Sequence, residues 1–273
     1  SSEIPAQITI AGAFLFCLFV SFWKPIASMS DLRKRRNTIG YIGELVFSTV
    51  ALPFVLIDLV RLFPASTDFV FDGGDLYTYP YLRFFISAQS IIYLLELFYR
   101  VEVRWEVIVH HLLATFSVIF VFYSADKTYA LFLILKVGAL MTLMAITEQP
   151  FYLALVLKNF GYTSHPWWPG FCRFSGWSFI VCKLVVIVLV AVVLGKSGNG
   201  DEASWEIRNS FAEWTDSEEM NPAVFVSVIA VLLALLLYVQ VYVGGVMLKL
   251  AAKAKAKNLK EKKTSAAPMS NSM

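Results

Sequence analysis

Seven long apolar stretches alternate with short polar connections along the chain, at roughly 5–23, 43–63, 80–100, 105–124, 129–157, 171–195 and 222–248. Each approaches or exceeds the about 20 residues that a helix needs to cross a bilayer. The pattern predicts seven transmembrane helices. The fifth stretch is too long for one simple crossing and contains Glu148-Gln149-Pro150. Proline removes a backbone donor and restricts the residue before it, so a break is expected there, facing protein rather than lipid. In the sixth connection, Ala203, Ile207, Phe211 and Trp214 fall at helical spacing, which predicts a short amphipathic helix on the membrane surface. The stretch from Thr264 to Met273 is small and polar and is expected to be disordered.

Composition agrees with this pattern. The chain is 58% hydrophobic and 16% charged, against about 45–50% apolar for soluble domains. No basic region precedes the first apolar run, which reads as a span and not as a signal peptide. The three cysteines, Cys17, Cys172 and Cys182, all lie in apolar runs and form no CxxC pair, so neither a disulfide framework nor a zinc site follows from them.

Charge sets the expected orientation. The first connection carries Lys24, Arg33, Lys34, Arg35 and Arg36; the third carries Arg100 and Arg104; the fifth carries Lys158. The tail adds Lys249, Lys253, Lys255, Lys257, Lys260, Lys262 and Lys263. The second connection holds Asp68, Asp72 and Asp75, and the sixth is also acidic. The positive-inside rule puts the tail in the cytosol and the N-terminus outside. Trp23, Trp105, Trp167 and Trp168 fall at span ends on the basic side, where an aromatic belt is expected.

Against this background the pair His110–His111 stands out. At about 1.5 Å per residue, His110 lies roughly 8 Å into the fourth span. Glu96 sits near the basic end of the third span and Glu148 comes late in the fifth, so four ionisable groups from three spans share one depth. Ionisable side chains in a membrane are costly and face cavities or partners. Glu106 is four residues before His110 and is expected to orient its ring. Adjacent helical residues point about 100° apart, so the pair cannot chelate one ion as an i, i+4 pair would, and no metal site is expected. An imidazole here suits proton transfer or attack on an acyl group. Asp58 and Lys136 lie at similar depth and are expected to pair; Lys183 finds no partner in the pattern. Nothing indicates nucleic-acid binding.

The segments Tyr93-Leu-Leu-Glu96 and Trp105-Glu-Val-Ile-Val-His110-His111-Leu-Leu-Ala-Thr115 resemble the TLC-domain family of membrane lipid proteins. The later Met144-Ala-Ile-Thr-Glu148-Gln-Pro150-Phe151 resembles an element of its TLCD-type branch. Leu140-Met-Thr-Leu-Met-Ala-Ile-Thr-Glu148 lacks the aspartates that ceramide synthases carry after the His pair, so the resemblance is to that branch and not to a standard ceramide synthase. The resemblance implies an all-α integral membrane protein in which six of the seven helices form a TLC-type barrel. Residues 1–34 would be an N-terminal span and basic loop, 35–255 the six-span domain, and 256–273 a Lys-rich tail.

The resemblance further implies lipid acyl chains handled in an intramembrane cavity, with acyl-CoA as co-substrate of an acyltransfer and no tightly bound cofactor. His110, His111, Glu96 and Glu148 would be catalytic, and Tyr93, Arg100, Arg104 and Thr115 lipid-binding. The expected partners are membrane lipids and subunits of a membrane complex. The expected location is the endoplasmic reticulum, with the mitochondrial inner membrane as the alternative. The competing expectation is a non-catalytic lipid-binding or structural subunit of a larger assembly.

Overall fold

The computed structural model describes residues 3–62, 80–125, 131–197 and 222–265. Among them every element is helical. In order these are α1 (Glu3–Phe22), α2 (Lys24–Ala27), α3 (Leu32–Leu62), α4 (Pro80–Tyr99) and α5 (Trp105–Ala125). Then come α6 (Leu131–Ile146), α7 (Gln149–Asn159), a 3-10 turn at Tyr162–Ser164, α8 (Trp168–Ser197) and α9 (Pro222–Ser265). The stretches Leu32–Leu62, Lys136–Asn159, Trp168–Leu194 and Val226–Leu259 are long and apolar enough to cross a membrane, the build of an integral membrane protein. Phe84–Tyr99 and Trp105–Val121 are shorter apolar helices.

Local chemistry explains the helix ends. Asp31 caps α3, its Oδ1 accepting from the Arg33 and Lys34 amides at 2.9 and 3.2 Å. Proline opens α4 and α9, where its missing N–H costs nothing. Gly161 ends α7 in the left-handed region at φ 91°, a conformation that costs glycine nothing. Because Asp31 starts α3 so early, Arg33–Arg36 form its first turns and are not loop. Likewise α9 carries Lys249 through Lys263 as continuous helix. The acidic second connection, the amphipathic pattern at 203–214 and residues 266–273 lie outside the described residues.

The chain breaks between α6 and α7, where the proline was expected to interrupt it. Thr147 and Glu148 are not helical, and Glu148 caps α7 with φ −104° and ψ 6°. A break frees carbonyls that lipid cannot satisfy. Side chains supply the donors. Thr147 Oγ1 donates to the Leu143 carbonyl at 2.9 Å, Gln149 Nε2 to that of Ile146 at 2.6 Å, and Lys183 Nζ to that of Met144.

The helices pack in a closed circuit. α3 lies on α4, α4 on α5, α5 on α9, α9 on α8, and α8 on α6 and α7, which return to α3. α1 rests against α3 and α4. α6 also touches α4 and α5, and residues 137–142 are all buried, so this helix is covered on every side. A core of Ala51, Val55, Leu140, Met144, Ile229 and Leu236, with their neighbours, surrounds it. At the α8–α9 crossing a Cβ on Gly244 would stand 2.6 Å from Ile180 Cγ1, the small-residue packing that brings membrane helices close. Outward, Val181, Leu184, Val185 and Val188 on α8 leave a continuous apolar face exposed, as lipid contact requires.

The tryptophans divide. Trp23, Trp105 and Trp167 are exposed, as a belt requires. Trp168 is 2% exposed and packs with Ala154, Cys172, Met247 and Ala251 in the core where α7, α8 and α9 meet. It starts α8 facing inward, so burial overrides its place at a span end.

Candidate functional site

The polar side chains gather toward the basic end of the bundle. A cavity of about 460 Å³ opens there between α3, α4, α5, α7 and α9. Glu96, His110, His111 and Glu148 all line it, which brings the depth-matched groups of three helices around one space. Arg100 and Arg104 also line it, as do Lys34 and Lys158. Phe151, Leu155, Phe179, Val243, Val246 and Met247 add apolar wall between the mouth and the deeper polar groups.

His111 and Glu96 form the best-defined contact. His111 Nε2 lies 2.6 Å from Glu96 Oε2, and the two side chains are 2% and 4% exposed. The other Glu96 oxygen accepts from Arg100, one helical turn on. Arg100 in turn lies over the Tyr41 ring, 4.6 Å from its centroid. A Cβ on Gly40 would stand 3.1 Å from Glu96 Oε1, so the small residue on α3 makes room for this pair. His111 thus turns Nε2 to a carboxyl group that Arg100 holds from the other side, and its second ring nitrogen is Nδ1. That nitrogen is buried and has no protein partner. Tyr93 stacks on the His111 ring at 4.2 Å and meets His110 edge-on at 5.6 Å. The two imidazoles stand 5.5 Å apart.

The expected residues take unequal places. Arg100 has its guanidinium engaged by Glu96 and a side chain only 6% exposed, so it orients the carboxylate more than it faces the opening. Arg104 is exposed at the mouth. Tyr93 lines a smaller, deeper pocket instead of the main cavity. Thr115 is buried and lines neither space, because it lies one turn beyond His111 on a face packed against protein. Glu106 lines the cavity and approaches Tyr242. Among the described residues, no group of three His, Cys, Asp or Glu side chains is placed to hold a metal ion.

Three residues join the site that the sequence reading had not placed there. Lys183 Nζ reaches Glu148 Oε1 at 2.7 Å, and the two side chains are 1% and 2% exposed. Each lies more than ten residues from the basic end of its helix, and that shared depth is the signal that could have paired them. Glu44 on α3 is 2% exposed and accepts from Gln89 Nε2 at 3.2 Å. It follows Arg36 by about two turns, so the depth argument applied to Glu96 would have found it. Gln240 on α9 is 2% exposed, lines the cavity and has no partner for Oε1. Asp58 is buried and Lys136 half-buried. No protein-family model, curated protein or solved structure matches the chain.

Proposed function

We propose that this chain is a seven-span membrane protein of TLC type that takes a lipid acyl chain into its polar-mouthed cavity. In this reading α3 to α9 make the six-span unit and α1 stands beside it. The N-terminus faces outside and the basic end faces the cytosol or its equivalent, because the first, third and fifth connections and the tail carry the cations. Cysteines introduced at 205 and 255 test this: labelling of both from the same side overturns the orientation.

The observation that carries the functional reading is the cavity itself. Its volume falls within the roughly 300–1,000 Å³ of ligand sites. Its mouth is basic, apolar side chains form much of its wall, and His110, Glu148 and Gln240 stand at its deep end. Several mouth charges are already engaged: Arg33 with Glu102, and Arg100 with Glu96. Lys34, Arg104 and Lys158 form no ion pair with a described residue, and Arg104 and Lys158 lie close enough to repel. Such a trio favours an anionic head, from an anionic lipid or from acyl-CoA.

The His pair supports acyltransfer as the activity. An acceptor O–H or N–H gives its proton to an imidazole nitrogen, its lone pair attacks the acyl carbonyl, and the C–S bond of acyl-CoA breaks. The departing thiolate then takes the proton. His110 lines the cavity and is the ring a bound acyl group meets; His111, anchored by Glu96, stands behind it. Wild type, His110→Ala and His111→Ala are compared with a panel of acyl-CoAs and lipid acceptors, with co-purified lipid measured by mass spectrometry. Loss of turnover with lipid retained supports the enzyme.

The second reading is a lipid-binding or structural subunit without catalysis. The Lys183–Glu148 pair favours it, because Lys183 donates to both Glu148 and the freed Met144 carbonyl and so holds the helix break together. Lipid bound in all three proteins, with no turnover even in wild type, supports this alternative. No acyl ligand in any of them overturns the acyl-chain reading in both its catalytic and its lipid-binding form.

A further inference from the structure

A second space of about 40 Å³ lies between α4, α5, α6 and α9. Apolar side chains form most of its wall, but four residues bring polar atoms that the protein leaves unpartnered. These are Gln89 Oε1, the Tyr93 hydroxyl, His110 Nδ1 and Gln240 Oε1. Gln89, Tyr93 and Gln240 are 4%, 1% and 2% exposed, so bulk solvent does not serve them. Gln89 Nε2 is committed to Glu44 Oε2 at 3.2 Å, so its Oε1 calls for a donor from elsewhere. Three more hydroxyls line the space. Ser90, Ser117 and Thr142 donate to the carbonyls of Ile86, Leu113 and Gly138 at 3.2, 2.7 and 2.8 Å, which leaves each oxygen able to accept. Hydrocarbon here would strand all four unpartnered atoms, which is costly for buried polar groups. Water suits them, because it both donates and accepts. At about 10–15 Å³ per molecule, there is room for about three.

We propose that water held in this space is the acyl acceptor, so that the chain hydrolyses acyl thioesters. This rests on the acyltransfer reading of the main cavity and names the acceptor which that reading left open. His110 and Gln240 line both spaces, so His110 stands between an acyl group in the cavity and water in the inner space. A water O–H gives its proton to His110 Nδ1, and the oxygen lone pair forms the new C–O bond at the acyl carbon. The C–S bond breaks with its electron pair going to sulfur, and the thiolate takes the proton back from the imidazolium. A fatty acid and a free thiol leave. Gln89, Tyr93 and Gln240 hold the water, and Tyr93, edge-on to the His110 ring at 5.6 Å, also steadies that ring.

The test uses the full-length protein in detergent with palmitoyl-CoA, in heavy-oxygen water, with and without an added lysophospholipid. Thiol release and the mass of the fatty acid are the readouts, and binding of palmitoyl-CoA is measured alongside. Without the lysophospholipid, wild type should release free CoA and a fatty acid carrying one heavy oxygen. His110→Ala should slow this about a hundredfold or more. An equal rate in His110→Ala and wild type overturns the proposal. Tyr93→Phe and Gln240→Met keep the shape of each side chain and remove one partner of the water. Each should lower kcat about fivefold or more with KM for palmitoyl-CoA little changed. Ala145→Leu fills the inner space, and hydrolysis should fall while palmitoyl-CoA stays bound. Leu112→Ala, on the exposed face of α5, is the control and should match wild type. Hydrolysis that none of Tyr93→Phe, Gln240→Met and Ala145→Leu lowers overturns the water site alone. So does acyl transfer to the lysophospholipid by a wild type that hydrolyses nothing. Palmitoyl-CoA bound by wild type without turnover of either kind overturns the catalytic reading and this inference with it. No binding overturns the acyl-chain reading as well.

Discussion

Replacing Lys183 with Met leaves the Glu148 carboxylate with no cation inside the bundle. The size of the loss tells what kind of contact this is. Ordinary interhelical hydrogen bonds in membranes average about 0.6 kcal/mol. Removing one member of a fully buried ion pair costs about 3–5 kcal/mol, because the survivor is a stranded charge. The structure puts the pair in the second class. Nζ and Oε1 are 2.7 Å apart, and neither side chain is more than 2% exposed. Lys183 also donates to the Met144 carbonyl, which the α6–α7 break has freed, so a second acceptor is stranded with the first. Lys183→Met is therefore expected to lose at least about 3 kcal/mol. The double variant Lys183→Met/Glu148→Gln holds no stranded charge and should recover most of that loss. Reversible unfolding in mixed micelles, followed by tryptophan fluorescence, measures both. A single-variant loss below about 1 kcal/mol, the scale of an ordinary interhelical bond, would refute the reasoning. So would a double variant no more stable than the single.

Other perturbations test the packing. Gly244→Ala should destabilise by about 1–3 kcal/mol, since the new Cβ meets Ile180, whereas Gly245→Ala has open space and should be neutral or slightly stabilising. Trp168→Ala should cost about 3–5 kcal/mol as a core truncation. Its exposed neighbour Trp167→Ala should cost under about 1 kcal/mol; equal losses would return Trp168 to the interfacial belt. Both pairs can be read by the same unfolding assay. Glu96→Gln should loosen the His111 ring, seen as a change in its NMR tautomer signature, while an unchanged Nε2–H signal would show that Glu96 does not set the tautomer.

Hydrophobic run length and breaker residues marked the helices directly. A bilayer-length apolar segment must satisfy its backbone internally, so the runs at 43–63 and 171–195 read as helices from composition alone, whereas the basic turns before 43 joined α3 through the Asp31 cap. Glu148–Pro150 marked the break for an equally local reason, the missing N–H and ring of proline. Axial depth was also legible, because rise per residue is constant, and it brought Glu96, His110, His111 and Glu148 to one level. Rotation about each helix axis was not. These helices are apolar on most faces, so no stripe says which side turns inward. Only packing decided that the cavity stops short of Thr115, one turn deeper than His111 on the same face, and that Trp168 enters the core. Packing alone also set α6 inside the other helices. Lys183, too, found Glu148 and Gln240 reached the cavity only through the azimuths of α8 and α9, which close contacts such as Gly244 against Ile180 fix in three dimensions.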